Sequence, residues 1–132
     1  MSVQSEPVAV DRSKLPLVYS CSGGASAAQM ANRIAIALDR RNLAEMSCIA
    51  GVGGDVRNLV KVAKSGRPIV AIDGCVLACV KNSLARHDVQ PAIWHELSQY
   101  EVKKVYQADP DQAQVEEVLH IVTDSMASLQ AS

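Results

Sequence analysis

Three segments of the chain share one arrangement of residue types, and this shared arrangement limits the folds that the chain can adopt. Each begins with a short apolar stretch, carries a cysteine in or just after it, continues into a turn of small residues and ends in an amphipathic stretch. Short apolar runs predict buried strands, and apolar residues at helical spacing predict amphipathic helices. Strands that alternate with helices favour right-handed crossovers and a parallel sheet.

The alternation predicts an α/β fold. We expect a small doubly wound domain of about four parallel strands with helices on both faces, a flavodoxin-like or Rossmann-like three-layer sandwich. Asp55 and Asp109 are predicted to cap the helices that follow them, because each precedes a stretch of apolar residues at helical spacing. Residues 1–14 are expected to form a flexible tail and residues 15–132 a single domain. The strands are predicted at residues 15–21, 45–50, 69–72 and 91–97.

The charge and the apolar pattern exclude two classes of partner. The net charge is −1 at pH 7, and the basic runs are no longer than the pairs Arg40-Arg41 and Lys103-Lys104. With one Trp and three Tyr, the chain lacks a set of stacking aromatics, so no nucleic-acid partner is expected. No apolar run is long enough to span a bilayer, and the N-terminus lacks the apolar core of a signal peptide. We therefore expect no membrane partner and a cytoplasmic location, where cysteines stay reduced.

The spacing of the cysteines predicts where they lie in this fold. Cys21, Cys48 and Cys75 follow one another at intervals of 27 residues, about the length of one strand-loop-helix unit. Each therefore occupies an equivalent place, at or near the end of a strand. The carboxyl ends of parallel strands lie along one edge of the sheet, with neighbours about 4.8 Å apart. Cys79 is predicted one helical turn beyond Cys75, on the same side of a helix.

Four cysteines at one edge predict a zinc site. Thiolates are the ligands that zinc prefers in closed tetrahedral sites, which place the sulfurs roughly 3.8 Å from one another. A strand order of 2-1-3 puts the strand of Cys21 between its two neighbours. A single cysteine is more simply explained as a small buried apolar residue, whereas four at one edge favour a metal. We predict one zinc ion per chain, held by Cys21, Cys48, Cys75 and Cys79, in a structural or a metal-handling and sensing role.

Further residues at this edge are predicted to surround the metal or to bind an anion. Four thiolates leave zinc with a net charge of −2, which backbone amides can stabilise. Glycine-rich turns at helix starts also suit anions, so a small anionic ligand or a protein partner stays open as a second occupant of this edge. The set comprises Ser22, Gly23, Gly24, Gly53, Gly54, Asp73 and Gly74.

Three motifs of the sequence resemble the DGC-domain family. They are Tyr-Ser-Cys-Ser-Gly-Gly at residues 19–24, Glu-Met-Ser-Cys-Ile-Ala-Gly-Val-Gly-Gly at 45–54 and Ile-Asp-Gly-Cys-Val-Leu-Ala-Cys at 72–79. The resemblance covers roughly residues 18–104. The family is named for its Asp-Gly-Cys motif, here residues 73–75. The resemblance implies a zinc-binding protein whose four cysteines chelate the metal, and it implies no reaction.

Three other uses of the cysteines stay open. Cys21 and the turn after it are loosely similar to the phosphocysteine loop of sugar-phosphotransferase B domains, which would make the chain a phosphoryl carrier. Cys75 and Cys79 would form a thiol-redox pair, although the best-known redox pairs have two intervening residues rather than three. An iron–sulfur cluster is less favoured than zinc, uses four thiolates as well and is distinguished by its colour.

The histidines and carboxylates give no clear catalytic set. His95, near the end of the fourth predicted strand, is the one histidine expected at the cysteine edge, and an ordinary structural role is favoured for it. No Ser-His-Asp arrangement or pair of carboxylates stands out. The sequence therefore leaves open whether the chain is an enzyme.

Overall fold

The computed structural model describes residues 10–130, and its centre is a sheet of four parallel strands in the order β2-β1-β3-β4. The strands are β1 Leu17–Ser20, β2 Glu45–Met46, β3 Ile69–Asp73 and β4 Ile93–Glu96. The helices are α1 Ser26–Arg40, α2 Ile49–Gly53, α3 Arg57–Ala63, α4 Cys79–Ala85, α5 Gln112–Ser125 and α6 Ala127–Gln130. The predicted α/β fold is therefore confirmed. The predictions for residues 1–9 and 131–132 lie outside the described residues.

Two apolar cores on opposite faces of the sheet make the three layers. Val18 of β1 belongs to the core that α1 and α5 cover, whereas the next residue, Tyr19, belongs to the core under α2, α3 and α4. This division follows from the geometry of a strand, in which successive side chains point to opposite faces. Because both faces are covered, β1 and β3 are apolar along most of their length rather than alternating.

The second strand is shorter than predicted, because the glycine-rich segment after it is helical. α2 occupies Ile49–Gly53, and its Val52 side chain is fully buried. A side chain at Gly51 would collide with Leu59 of α3. Gly51 therefore allows two helices to pack closely. The interpretation of this segment as an open turn that includes Gly53 is wrong, since Gly53 is the last residue of α2.

Two of the predicted helix caps are wrong. Asp55 has a left-handed backbone with φ of 63° and pairs with Arg86 at 2.9 Å, and α3 begins two residues later. The cap of α5 is Asp111, whose side chain accepts the Gln114 N–H at 3.2 Å, rather than Asp109. In both cases the helix starts later than the apolar pattern indicates, because the exact end depends on local backbone geometry.

The end of the predicted tail is attached to the domain. Arg12–Lys14 form a short 3-10 turn, and the guanidinium of Arg12 pairs with Asp39 near the end of α1. Arg67 donates to the carbonyl oxygen of Leu15 at 2.8 Å. These contacts hold the segment before β1 against the amino-terminal edge of the sheet, which is the edge opposite the cysteines.

His95 is a structural residue that joins β4 to α5. It is buried, and its Nε2 lies 2.8 Å from Ser125 Oγ while its Nδ1 lies 2.7 Å from the Tyr100 hydroxyl. Ser125 Oγ also donates to the carbonyl of Val122 at 2.6 Å, so it accepts from Nε2–H, and Tyr100 donates to Nδ1. Both ring nitrogens are therefore used in the neutral form, and the histidine is not free to bind a metal.

The burial of His95 predicts a pH dependence of stability. Burial lowers the pKa of His95 below its ordinary value of 6.5, so the unfolded chain takes up this proton first as the pH falls. The free energy of unfolding should therefore decrease below about pH 6.5, by at most about 1.4 kcal/mol per pH unit for this one group. Urea unfolding at pH 7.5 and 5.5 measures the effect.

Two histidine variants make this experiment specific. His95→Gln should be less stable at pH 7.5 and should lose less stability than the wild type on acidification. His120→Gln should change the stability at pH 7.5 by less than about 0.5 kcal/mol, because the His120 side chain is exposed. Equal pH dependence in His95→Gln and the wild type would rule out this explanation.

Candidate metal centre

The Asp-Gly-Cys motif begins at the carboxyl end of β3, where Asp73 fixes the start of α4. Its carboxylate accepts the backbone N–H of Val80 at 2.8 Å, the N–H of Lys81 at 3.1 Å and the indole N–H of Trp94 at 3.0 Å. The residue at the N-cap position, Ala78, has no side chain that can do this. Asp73 therefore caps α4 from the preceding strand, and the loop of residues 74–78 is closed between them.

Gly74 allows this loop to lie directly on the first turn of α1. A Cβ atom at position 74 would lie 2.6 Å from the carbonyl oxygen of Ala27 and 2.9 Å from the backbone nitrogen of Ala28. These are backbone atoms of a buried helix, so they cannot rotate away. The motif thus requires glycine for close approach between two backbone segments.

The prediction that Cys75 and Cys79 lie one helical turn apart is wrong. α4 begins at Cys79, and residues 74–78 form turns in which Ala78 has a left-handed backbone with φ of 52°. Val76 and Leu77 therefore lie in the loop and are 75% and 62% exposed, whereas Val80 and Leu84 of α4 are buried. The cause is the cap: Asp73 binds the N–H groups of residues 80 and 81, which sets the first turn of the helix at Cys79.

Three of the four cysteines nevertheless meet at one cavity of about 170 Å³. Cys21 follows β1, Cys75 lies in the loop after β3, and Cys79 opens α4. The cavity is bounded by the first turn of α1 and by the segment that contains Lys104 and Tyr106. The carboxyl edge of the sheet thus carries three thiols that line one cavity.

Cys21 is partly buried and packs against both apolar cores. Its Sγ accepts the backbone N–H of Gly74 at 3.1 Å. Burial raises the pKa of Cys21 to about 11; the Gly74 N–H acts in the opposite direction, and the neighbouring Asp73, Cys79 and Cys75 add to the rise. Cys21 therefore keeps its proton unless a metal ion binds in the cavity.

Lys104 supplies the positive charge of the cavity. Its Nζ lies 3.6 Å from Cys75 Sγ and 5.4 Å from the centre of the Tyr106 ring. The interaction with the Tyr106 side chain raises the pKa of Lys104, and the nearby Cys75 acts in the same direction. The sequence does not indicate this contact, because nothing in its pattern places a loop residue beside a cysteine 29 positions earlier.

Cys48 stands apart from the other three thiols. It is exposed, two residues after β2, at the N-cap position of α2. β2 pairs with β1, and α2 packs against α4, so Cys48 lies at the same edge of the sheet. It does not line the cavity, and within residues 10–130 no three His, Cys, Asp or Glu side chains are arranged to hold a metal ion. The donor chemistry of four thiols fits zinc, although Cys48 lies outside the cavity that the other three cysteines line.

The other predicted residues of this edge divide into two groups. Ser22, Gly23, Gly24 and Gly74 line the cavity. Asp73 is turned toward α4, as described above. Gly53 faces Ser83 of α4, and the Gly54 N–H donates to Ala50 at 2.9 Å, so neither belongs to the described lining.

These features define a class of protein: a parallel α/β domain with thiols and one lysine at the carboxyl edge of its sheet. Residues 17–122 match the DGC domain, and the chain belongs to the DGC-domain family. It is also 61% identical to the anaerobic and virulence modulator AnvM of Pseudomonas aeruginosa over 95 residues. The matched residues make up 72% of this chain and 72% of AnvM. A comparison with the solved structures found no match. None of the helices in residues 10–130 has the length and apolar character needed to cross a membrane.

Proposed function

We propose that the chain binds one zinc ion through Cys21, Cys75 and Cys79, with Cys48 as the fourth ligand, in a structural or a metal-handling and sensing role. The observation that carries this proposal is the position of three thiols around one cavity. Zinc, when bound, would hold the ends of three strands and the start of α4 together through its tetrahedral preference for thiolates.

The surroundings of the cavity support a charged metal–thiolate group. Four thiolates around Zn²⁺ carry a net charge of −2, which needs donors and a cation nearby. The Gly74 N–H already points at Cys21 Sγ, and the ammonium group of Lys104 lies beside Cys75. Cys48 completes the shell if the short α2 shifts toward the cavity.

Metal content tests the proposal directly. The protein is purified without chelator, and its zinc and iron contents are measured together with its visible absorption spectrum. We expect about one zinc per chain and no visible absorption, which excludes an iron–sulfur cluster. A well-folded, metal-free protein with four reactive thiols would contradict zinc binding.

Cys48, which lies outside the cavity, and Cys75, which lines it, should respond alike to substitution. If Cys48 is the fourth ligand, Cys48→Ser and Cys75→Ser should each weaken zinc binding strongly, on the order of 100-fold. Competition with a chromogenic chelator measures the affinity. Ser22→Ala is the matched control, because Ser22 lines the cavity but is not a proposed ligand. Wild-type affinity in Cys48→Ser would instead indicate a three-thiolate site with one open position.

The alternative role of Cys21 as a phosphoryl carrier has less support. A carrier cysteine must attack as a thiolate, and burial raises the pKa of Cys21 to about 11.

The thiol-redox alternative is supported by one observation, since Cys75 and Cys79 line the same cavity. Thiol titration of the metal-free chain before and after incubation with oxidised glutathione separates these uses, because a redox pair loses two free thiols when Cys75 and Cys79 form a disulfide, and reduced glutathione is released.

A further inference from the structure

The mouth of the cysteine cavity is surrounded by exposed apolar side chains. Val76, Leu77 and Tyr106 are 75%, 62% and 69% exposed, and Leu77 and Tyr106 line the cavity itself. They come from two separate loops, residues 74–78 and 103–107. Together with Lys104, we name these three residues the mouth patch. Apolar groups clustered on a surface in this way are typical of binding sites.

The exposure of these residues is imposed by the fold. Asp73 caps α4 at Cys79, so Val76 and Leu77 stay in the loop instead of turning toward the core. Ser26 holds the second loop: its hydroxyl donates to the carbonyl of Lys103 at 3.2 Å and accepts the N–H of Val105 at 3.1 Å. Both loops are therefore fixed in place, which reduces the entropy that a partner must overcome on binding.

The charge of the mouth patch indicates the chemistry of its partner. Among the described residues that line the cavity, Lys104 is the one charged side chain, and exposed Lys103 lies next to it. Asp73, three residues before Val76, is buried and directed at α4, and exposed Glu101, two residues before Lys103, does not line the cavity. In the metal-free chain a partner that covers the patch must therefore supply apolar groups and negative charge, whereas zinc with four thiolates would already balance Lys104.

We propose that the mouth patch of the metal-free chain binds an acidic, apolar peptide segment of a partner protein. An apolar side chain of that segment lies between Leu77 and Tyr106, and a carboxylate of the segment pairs with Lys104. A second copy of this chain fits less well, because a twofold contact of the patch with itself would bring two lysine-containing surfaces together.

Peptide selection on the metal-free full-length chain tests this proposal. A displayed library of random 12-residue peptides is selected on the wild type, with counter-selection against the double variant Leu77→Ser/Tyr106→Ser. Enriched peptides should combine Asp or Glu with aliphatic or aromatic residues. They should bind at least about 10-fold more weakly to the double variant and to Lys104→Glu, since clustered central residues dominate such interfaces. Ile121→Ser, which changes an exposed apolar residue on α5, should bind as the wild type does.

Several outcomes would overturn the proposal. Peptides that are basic or neutral, or that bind the double variant equally well, would show that the patch is not the site. Sedimentation that reveals a dimer abolished by Leu77→Ser would assign the patch to a second copy, and binding to vesicles with phosphatidylserine would assign it to a membrane. Zinc content of the double variant is measured in parallel, because the patch residues are not proposed ligands. Unchanged zinc with lost peptide binding keeps the two proposals separate.

Discussion

Gly74→Ala should destabilise the domain by about 3 kcal/mol, at the upper end of the cost of overpacking. The new methyl group would lie 2.6 Å from the carbonyl oxygen and 2.7 Å from the carbonyl carbon of Ala27. Relief requires either α1 or the loop of residues 74–78 to move. α1 is held in the core by Met30, Ile34 and other fully buried residues, so the loop should move.

The same displacement should affect the proposed metal site. The loop carries Cys75, and Gly74 itself donates to Cys21 Sγ, so Gly74→Ala should also weaken zinc binding. Gly24→Ala is a matched control, because Gly24 lines the same cavity and a Cβ there meets no atom within 4 Å. Urea unfolding and chelator competition on both variants measure the two effects. Equal stability of the two variants would contradict the steric argument.

Asp73→Ala should reduce the free energy of unfolding by on the order of 3–5 kcal/mol, because it leaves three buried or partly buried N–H groups without their charged acceptor. Asp73 is 1% exposed, and its three donors come from α4 and β4. The loss would be a large fraction of the stability of a domain of this size. The start of α4, where Cys79 lies, should become mobile.

Two further variants make the Asp73 experiment informative. Asp73→Asn keeps one acceptor oxygen, so its loss of stability should be intermediate. Asp124→Ala, which removes an exposed carboxylate paired with His120, should change stability by less than about 0.5 kcal/mol. Chemical denaturation followed by the fluorescence of Trp94, whose indole N–H binds Asp73, reports on this site. A small effect of Asp73→Ala would mean that another group caps α4.

Together these arguments give each residue of the Asp-Gly-Cys motif a physical role. Asp73 caps the helix that starts six residues later, and Gly74 lets the intervening loop rest on α1. Cys75 is thereby placed at the cavity that also holds Cys21 and Cys79. The first two residues serve the geometry of the fold, and the third is the proposed ligand.

Part of the site could be predicted from sequence because it depends on topology. The interval of 27 residues places Cys21, Cys48 and Cys75 after successive strands, and parallel strands bring their carboxyl ends to one edge. Nothing in that argument fixes side-chain direction. As a result it predicted one site for four thiols, whereas three line the cavity and Cys48 lies outside it, at the start of a short helix that was predicted to be a turn.

The sequence by itself determined the α/β class, the parallel sheet and the edge at which the cysteines lie. Each of these follows from apolar periodicity and from the spacing of repeated units. Tertiary structure alone decided that α4 starts at Cys79, that Val76 and Leu77 are exposed, and that a lysine joins the cavity. Those features depend on contacts between residues far apart in the chain, such as Asp73 with Trp94 and Cys75 with Lys104, which local patterns do not encode.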